Sequence, residues 1–300
     1  MLSLPKIQNI TKILTHAHCS DGMCAAYVAK REFPDAEIVP CVHGDLPPED
    51  IIGHDVLVCD FSYAREDLQF MEVYANTLYV LDHHKTAKEH LHGLPFCFFD
   101  MHRSGAGLVW DALHPNQPRH ALVAYVEDRD LWKHKLPGSR ALSAVIQSYP
   151  LTLKAWDELW IRFREGVTPS LLLEGEAILR AQDQHVERVV YNATTVSLAG
   201  YQVPATNTPI LQSDIGNVLA TKKDTPFAAV WHMTRTGDVR VSLRSSQGGT
   251  DVAKIAEEFG GGGHRNAAAF TLPFKQAAAI FGPQKDDNDD LQSDQSGTHT

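Results

Sequence analysis

Three short apolar runs near the N-terminus each stop on side chains that can bind a metal ion or a proton, and this pattern constrains the fold more than any other. Lys12-Ile13-Leu14 leads into Thr15-His16-Ala17-His18-Cys19-Ser20-Asp21-Gly22. Asp55-Val56-Leu57-Val58-Cys59 ends on Asp60, and Thr77-Leu78-Tyr79-Val80-Leu81 ends on Asp82-His83-His84. Such runs read as strands, and helix-like segments follow two of them, Met23 to Phe33 and Arg65 to Tyr74. Alternation of this kind predicts a mainly parallel sheet flanked by helices. In open parallel sheets ligands bind beyond the carboxyl ends of the strands, so the three clusters are expected to converge.

A fourth candidate lies where the apolar segment His120 to Val126, read as a helix, runs into Glu127-Asp128-Arg129-Asp130. In a chain with 16 histidines, a His-His pair alone is more often a solvated or core pair than a metal site. Four converging clusters change that balance. Imidazoles and carboxylates drawn from separate segments form the nitrogen and oxygen set that suits Mn²⁺, and one shared aspartate can bridge two ions.

The second half carries an independent pattern. Val239-Arg240-Val241-Ser242-Leu243-Arg244-Ser245-Ser246 reads as a strand, Asp251 to Phe259 as a helix, and Gly260-Gly261-Gly262-Gly263-His264-Arg265-Asn266 as a loop. Glycines let a backbone turn sharply and bring its N–H groups to an anion, while His264 and the arginine add donors to phosphate oxygens. Between the halves, apolar residues recur at three- and four-residue steps over Leu153 to Arg164 and Ser170 to Tyr191, which predicts amphipathic helices. Thr194 to Leu198 and Phe227 to His232 read as further strands. The expected architecture is α/β: an N-terminal domain over 1–150, a helical connector over 151–192, and a smaller α/β domain over 193–282. Residues 283–300, polar and rich in aspartate, read as a disordered acidic tail.

These motifs resemble the DHH phosphoesterase superfamily, whose members include RecJ exonucleases, nanoRNases, pAp phosphatases, cyclic-dinucleotide phosphodiesterases and family II pyrophosphatases. Asp82-His83-His84 corresponds to the triplet that names it, and His16 through Gly22, Asp60 and Asp128 match its other motifs. The Arg-Ser strand, helix and Gly-Gly-Gly-His loop resemble the DHH-associated C-terminal substrate domain; the likeness spans roughly residues 10 to 275. It implies a metal domain over 1–150 with one ion on Asp21, Asp60, His83 and Asp128 and another on His16 and Asp60. Asp130 remains the alternative to Asp128. It further implies that Asp82 orients His83, that His84 contacts the scissile phosphate, and that Arg244, Ser245, Gly262, Gly263 and His264 bind substrate. The implied cofactor is Mn²⁺, two ions or one, with Mg²⁺ or Co²⁺ as substitutes. Cys19 departs from the pattern, because many members carry an aspartate two residues before the one matched by Asp21. Thiolate is a softer ligand that suits Zn²⁺ better than Mn²⁺; a small buried thiol is the plainer reading of Cys19.

The activity implied is hydrolysis of phosphodiester or phosphomonoester bonds in short oligonucleotides, dinucleotides or nucleoside bisphosphates. Alternatives are a RecJ-like single-strand exonuclease, a catalytically weak nucleotide-binding protein, and a polyphosphate or pyrophosphate hydrolase. A net charge of −10 disfavours stable binding of long nucleic acid, which depends on many Lys and Arg contacts to phosphates. No apolar run reaches the roughly 20 residues needed to span a bilayer, so no membrane partner is expected. Five cysteines without a Cys-x-x-Cys spacing point to free thiols in a reducing compartment, and the expected location is cytoplasmic. A homodimer is left open.

Overall fold

The computed structural model describes residues 4–282, so the acidic tail expected over 283–300 lies outside the described residues. The chain forms two compact units that divide between His185 and Val186. The helical region expected over 151–192 is present, and the division falls inside its second helix.

The first unit runs β1 (Lys12–His16), α1 (Ser20–Glu32), β2 (Glu37–Cys41), β3 (Asp55–Cys59), α2 (Arg65–Tyr74), β4 (Thr77–Asp82), α3 (Lys85–His90) and β5 (Cys97–Phe99). Five helices follow: α4 (Gly105–Leu113), α5 (Ala121–Asp130), α6 (Ser139–Ser148), α7 (Leu153–Arg162) and α8 (Pro169–Tyr191), the last continuing into the second unit. The strands pair in the order β2-β1-β3-β4-β5, and every pairing is parallel.

Burial on both faces of this sheet explains why its strands read as nearly continuous apolar runs rather than alternating ones. Leu57, Cys59, Ile13 and Leu81 pack on one face with residues of α1, α4 and α5. Val56, Val58, Leu14, Leu78 and Val80 pack on the other with Leu68 and Met71 of α2. Each such side chain, fully withdrawn from water, contributes about 1.5–3 kcal/mol.

Strand order and register together position the site. After β1 the chain steps outward to β2 and then returns past β1 to β3, a reversal that opens a crevice beyond the carboxyl ends of β1 and β3. Thr15 lies abreast of Cys59, and Cys59 abreast of Leu81. The residues that follow, His16, Asp60 and Asp82, are therefore level at one edge of the sheet.

The second unit contains β6 (Thr194–Leu198), β7 (Tyr201–Asn207), α9 (Gln212–Ala220), β8 (Ala228–Met233), β9 (Val239–Arg244), α10 (Val252–Glu258), β10 (Gly262–His264), β11 (Ala267–Leu272) and α11 (Phe274–Phe281). Its sheet, ordered β10-β11-β9-β8-β7-β6, is antiparallel except between β7 and β8. Ala228 and Val230 face α9, whereas Ala229, Val241 and Leu243 face the side covered by α10. The glycine run differs from the loop expected of it: Gly262, Gly263 and His264 pair with Ala269, Ala268 and Ala267, leaving Arg265 and Asn266 as a two-residue turn. Among the described residues no helix is long and apolar enough to cross a membrane.

Candidate metal centre

Asp60 sits at the middle of the converging clusters. It follows β3 with a left-handed backbone (φ 54°), and its N–H bonds to the Leu81 carbonyl of the neighbouring strand, which turns the carboxylate across the crevice. Its two oxygens face different imidazoles: Oδ1 lies 3.2 Å from His83 Nε2, and Oδ2 lies 3.7 Å from His16 Nδ1. Burial raises the pKa of Asp60, but interactions with His16 and His83 outweigh it, so this carboxyl stays ionised well below the usual range.

Asp21, in the first turn of α1, completes the buried side. Its oxygens accept from Gly105 N at 2.6 Å and Ala106 N at 3.1 Å, so the amino end of α4 holds this carboxylate from behind. Ser104 caps that helix by accepting from Gly107 N, and the buried Glu127 accepts from Ser104 N. Such close approach requires glycine at two positions. A Cβ on Gly105 would lie 2.4 Å from Asp60 Cβ, and one on Gly22 would lie 2.4 Å from the His16 carbonyl oxygen.

The structure brings Asp130, rather than the expected Asp128, to this cluster. Asp130 Oδ2 is 3.5 Å from His83 Nε2, and Asp21, His83 and Asp130 form one potential ligand set. Asp128 instead accepts from Lys135 N, Leu136 N and Ser139 Oγ, fastening the loop between α5 and α6. Burial pushes its carboxyl up, but these bonds hold it below the usual range. The correction follows from helix extent. α5 continues through Asp130 instead of stopping near Val126, so Asp128 and Asp130 point to opposite sides, while Asp130 continues the line of Leu122 and Val126.

Three carboxylates thus surround the one ring nitrogen of His83, with Asp21 Oδ2 at 3.8 Å. Burial and the charges of Asp60 and Asp130 raise Asp21 well above the usual carboxylate range. Burial, assisted by Asp60, also raises Asp130. For His83, burial lowers the pKa, yet Asp130 and Asp60 prevail and push it up to about 10. Three carboxylates crowded about one imidazole nitrogen, two of them pushed up by their neighbours, are a donor set that a divalent cation would fit, since its charge would relieve that crowding. Asp21, Asp60, His83 and Asp130 could hold one ion, and His16, Cys19 and Asp60 another. Burial, then Asp60, Asp130 and Asp21, keep the Cys19 thiol well above its usual pKa when no cation is bound.

Asp82 also differs from its expected task. It accepts from the His84 ring at Nδ1 (2.7 Å), from Ser62 Oγ and from the backbone N–H of His83, so the ring it orients is that of His84. The reason is local: β4 includes Asp82, and the backbone bend after it returns His84 over the same carboxylate. Burial lowers the His84 pKa, but the Asp82 carboxylate raises it above its usual value overall. His43, beyond β2, was not singled out from sequence; its ring lies 5.3 Å from that of His16 and 6.2 Å from that of His84. Ser62 and the Ser104-Gly105-Ala106 turn were missed too, although a Ser followed by glycines at a helix start was a usable signal.

In the second unit, Arg244 Nη2 donates to Ser213 Oγ at the start of α9 (2.8 Å). The Gln212 side chain accepts from Ser242 and meets His232 Nδ1 at 2.6 Å, forming a polar row beside Arg244. Ser245 turns inward: its hydroxyl donates to Thr250 O and accepts from Asn266 Nδ2, so it braces the loop after β9. Gly262, Gly263 and His264 are partly buried along β10.

The DHHA1 domain family matches residues 196–281, almost the whole of the second unit. An uncharacterized protein of Acanthamoeba polyphaga mimivirus is 30% identical over 295 residues, spanning 88% of this chain and 69% of that protein. Similar solved structures include a pGpG-specific phosphodiesterase from Vibrio cholerae (12% identity, TM-score 0.47, 89% of this chain and 95% of that one). Another is an exopolyphosphatase-related protein from Bacteroides fragilis (15%, TM-score 0.43, 87% and 86%). A third is an uncharacterized protein from Helicobacter pylori (18%, TM-score 0.40, 91% and 98%).

Proposed function

We propose that this chain, which belongs to the DHH superfamily and carries a DHHA1 domain, is a divalent-metal-dependent phosphoesterase acting on short oligonucleotides, dinucleotides or nucleoside bisphosphates. The observation that carries the reading is Asp60, whose two oxygens face the imidazoles of two separate ligand sets. Divalent ions held there would lower the pKa of a shared water and stabilise charge on the attacking and leaving oxygens. Mn²⁺ suits the oxygen-rich set of Asp21, Asp60, His83 and Asp130.

The remaining chemistry belongs to the chain's own groups. His84, oriented through Nδ1 by Asp82, carries Nε2 on its other side as a donor to a phosphoryl oxygen. Asp82 keeps that ring charged to a higher pH than an isolated histidine. Arg244 and His264 supply cationic and donor groups for a second phosphate or a terminal nucleotide. The negative charge of the chain as a whole favours small substrates over long nucleic acid.

A panel of dinucleotides, short single strands, pAp, pyrophosphate and polyphosphate, assayed with Mn²⁺, Mg²⁺, Co²⁺ and Zn²⁺ and read by product mass, tests the proposal. Nucleotide hydrolysis that disappears in a folded Asp60→Ala variant supports it. Undiminished turnover in that variant contradicts it, and saturable dinucleotide binding without hydrolysis under every metal would replace it with a binding protein.

A further inference from the structure

Cys19 differs from the other cysteines in its surroundings. Cys24 and Cys59 are buried among apolar side chains of the first core, and Cys41 accepts a hydrogen bond from Tyr63 OH. The ligand atoms of Cys19, His16 and Asp60, by contrast, all lie within 4.8 Å of one another. Cys19 is also the extended residue directly before α1, the helix that carries Asp21. Resting on the metal-dependent reading above, we propose that Cys19 is a metal ligand. With His16 and Asp60 it forms a thiolate site for a thiophilic ion of the Zn²⁺ or Fe²⁺ kind, beside an oxygen-rich Mn²⁺ site that shares Asp60.

The donor sets of the two halves justify unequal metals. One offers sulfur, nitrogen and oxygen; the other offers three carboxylates and one imidazole. Soft thiolate favours Zn²⁺ and Fe²⁺ over Mn²⁺ and Mg²⁺, while carboxylates favour the harder ions. His16 Nδ1 and Asp60 Oδ2 stand 3.7 Å apart, close to the roughly 3.5 Å between donors that share a Zn²⁺. Binding replaces the thiol proton by the ion and releases that proton to water, with no change in oxidation state.

Titration of the full-length, metal-free chain with Co²⁺ provides a readout independent of turnover, because a Co²⁺–thiolate bond produces a near-ultraviolet charge-transfer band in addition to visible ligand-field bands. The expected result is that band in the wild type and its loss in Cys19→Ser. Cys19→Asp should lose it too and should gain roughly tenfold or more in preference for Mn²⁺ over Zn²⁺. Ligand-field bands without the charge-transfer band, or a band that survives in Cys19→Ser, would overturn the thiolate site while leaving the metal-dependent reading intact. A folded chain that takes up no Co²⁺ would overturn both. If the substitutions unfold the protein, alkylation of the wild type with peptide mass mapping decides the matter: Zn²⁺ should protect Cys19, and equal alkylation with and without Zn²⁺ would refute the proposal.

Discussion

The two halves of the candidate metal centre share one carboxylate and are built differently. The half around His83 is braced: the amino end of α4 grips Asp21, the His83 side chain is 2% exposed, and glycines let backbone and carboxylate meet, with Asp130 alone reaching towards the surface. The half around His16 has a partly exposed imidazole, 21% open at its side chain, and the Cys19 thiol among its donors. Preorganisation is concentrated where the donors are hard and charged. The other half would rely on the intrinsic affinity of sulfur and nitrogen for an ion.

The largest effect that sharpens this contrast comes from two aspartates on one helix. Asp130→Ala should lower turnover by about 10²–10³, comparable to losing a directly stabilising donor, with little change in melting temperature. Asp128→Ala should do the opposite, costing about 2–3 kcal/mol of stability through its lost hydrogen bonds while a folded fraction keeps its metal affinity. Thermal melts and metal titrations of both variants separate the outcomes, and a stability loss in Asp130→Ala alone would reverse the assignment.

Gly105→Ala comes next. Its methyl would press on Asp60 and on the oxygen of Asp21 that Gly105 N holds. About 1–3 kcal/mol of overpacking and a roughly 10–100-fold loss of metal affinity are expected. Calorimetric titration with Mn²⁺ checks this, and wild-type affinity in the variant would show that the half around His83 is not preorganised in this way.

A smaller effect concerns Asp82. Because it raises the His84 pKa, activity that needs the charged ring should fall as pH rises through that value. Asp82→Asn removes the charge, so the alkaline limb of kcat/KM should move to lower pH; an unmoved limb would detach His84 from phosphate binding. Farthest from the centre, burial and the charges of Arg31 and Arg164 push His120 down to about 4. Between its ordinary pKa near 6.5 and that value the unfolded chain binds a proton that the folded chain refuses, so stability should fall as pH drops through this window. His120→Asn keeps a capping side chain and should flatten this slope in urea denaturation.

The parallel sheet and the convergence of His16, Asp21, Asp60 and His83 were legible because strand and helix alternate plainly, and because each strand ends on its functional residue. The resemblance places the ligand at Asp128, directly after the apolar stretch, but α5 runs through Asp130, and two residues of helix reverse the direction a side chain faces. The bond from Asp82 to His84 depends on how the backbone bends after β4, which no periodicity encodes. Ser104 and the glycines after it signal the α4 turn locally, but its pairing with Asp21 does not show in sequence, because the two are distant along the chain and only the fold brings them together.

The account rests on Asp60 serving both halves, and counting bound ions per chain by elemental mass spectrometry tests this most directly. After loading with Mn²⁺ and Zn²⁺ and removal of free metal, the wild type should retain an ion in each half. His16→Ala and Asp130→Ala should each lose the ion of their own half and keep the other, and Asp60→Ala should lose both. A folded Asp60→Ala variant that retains either ion at wild-type occupancy would contradict the shared-carboxylate centre.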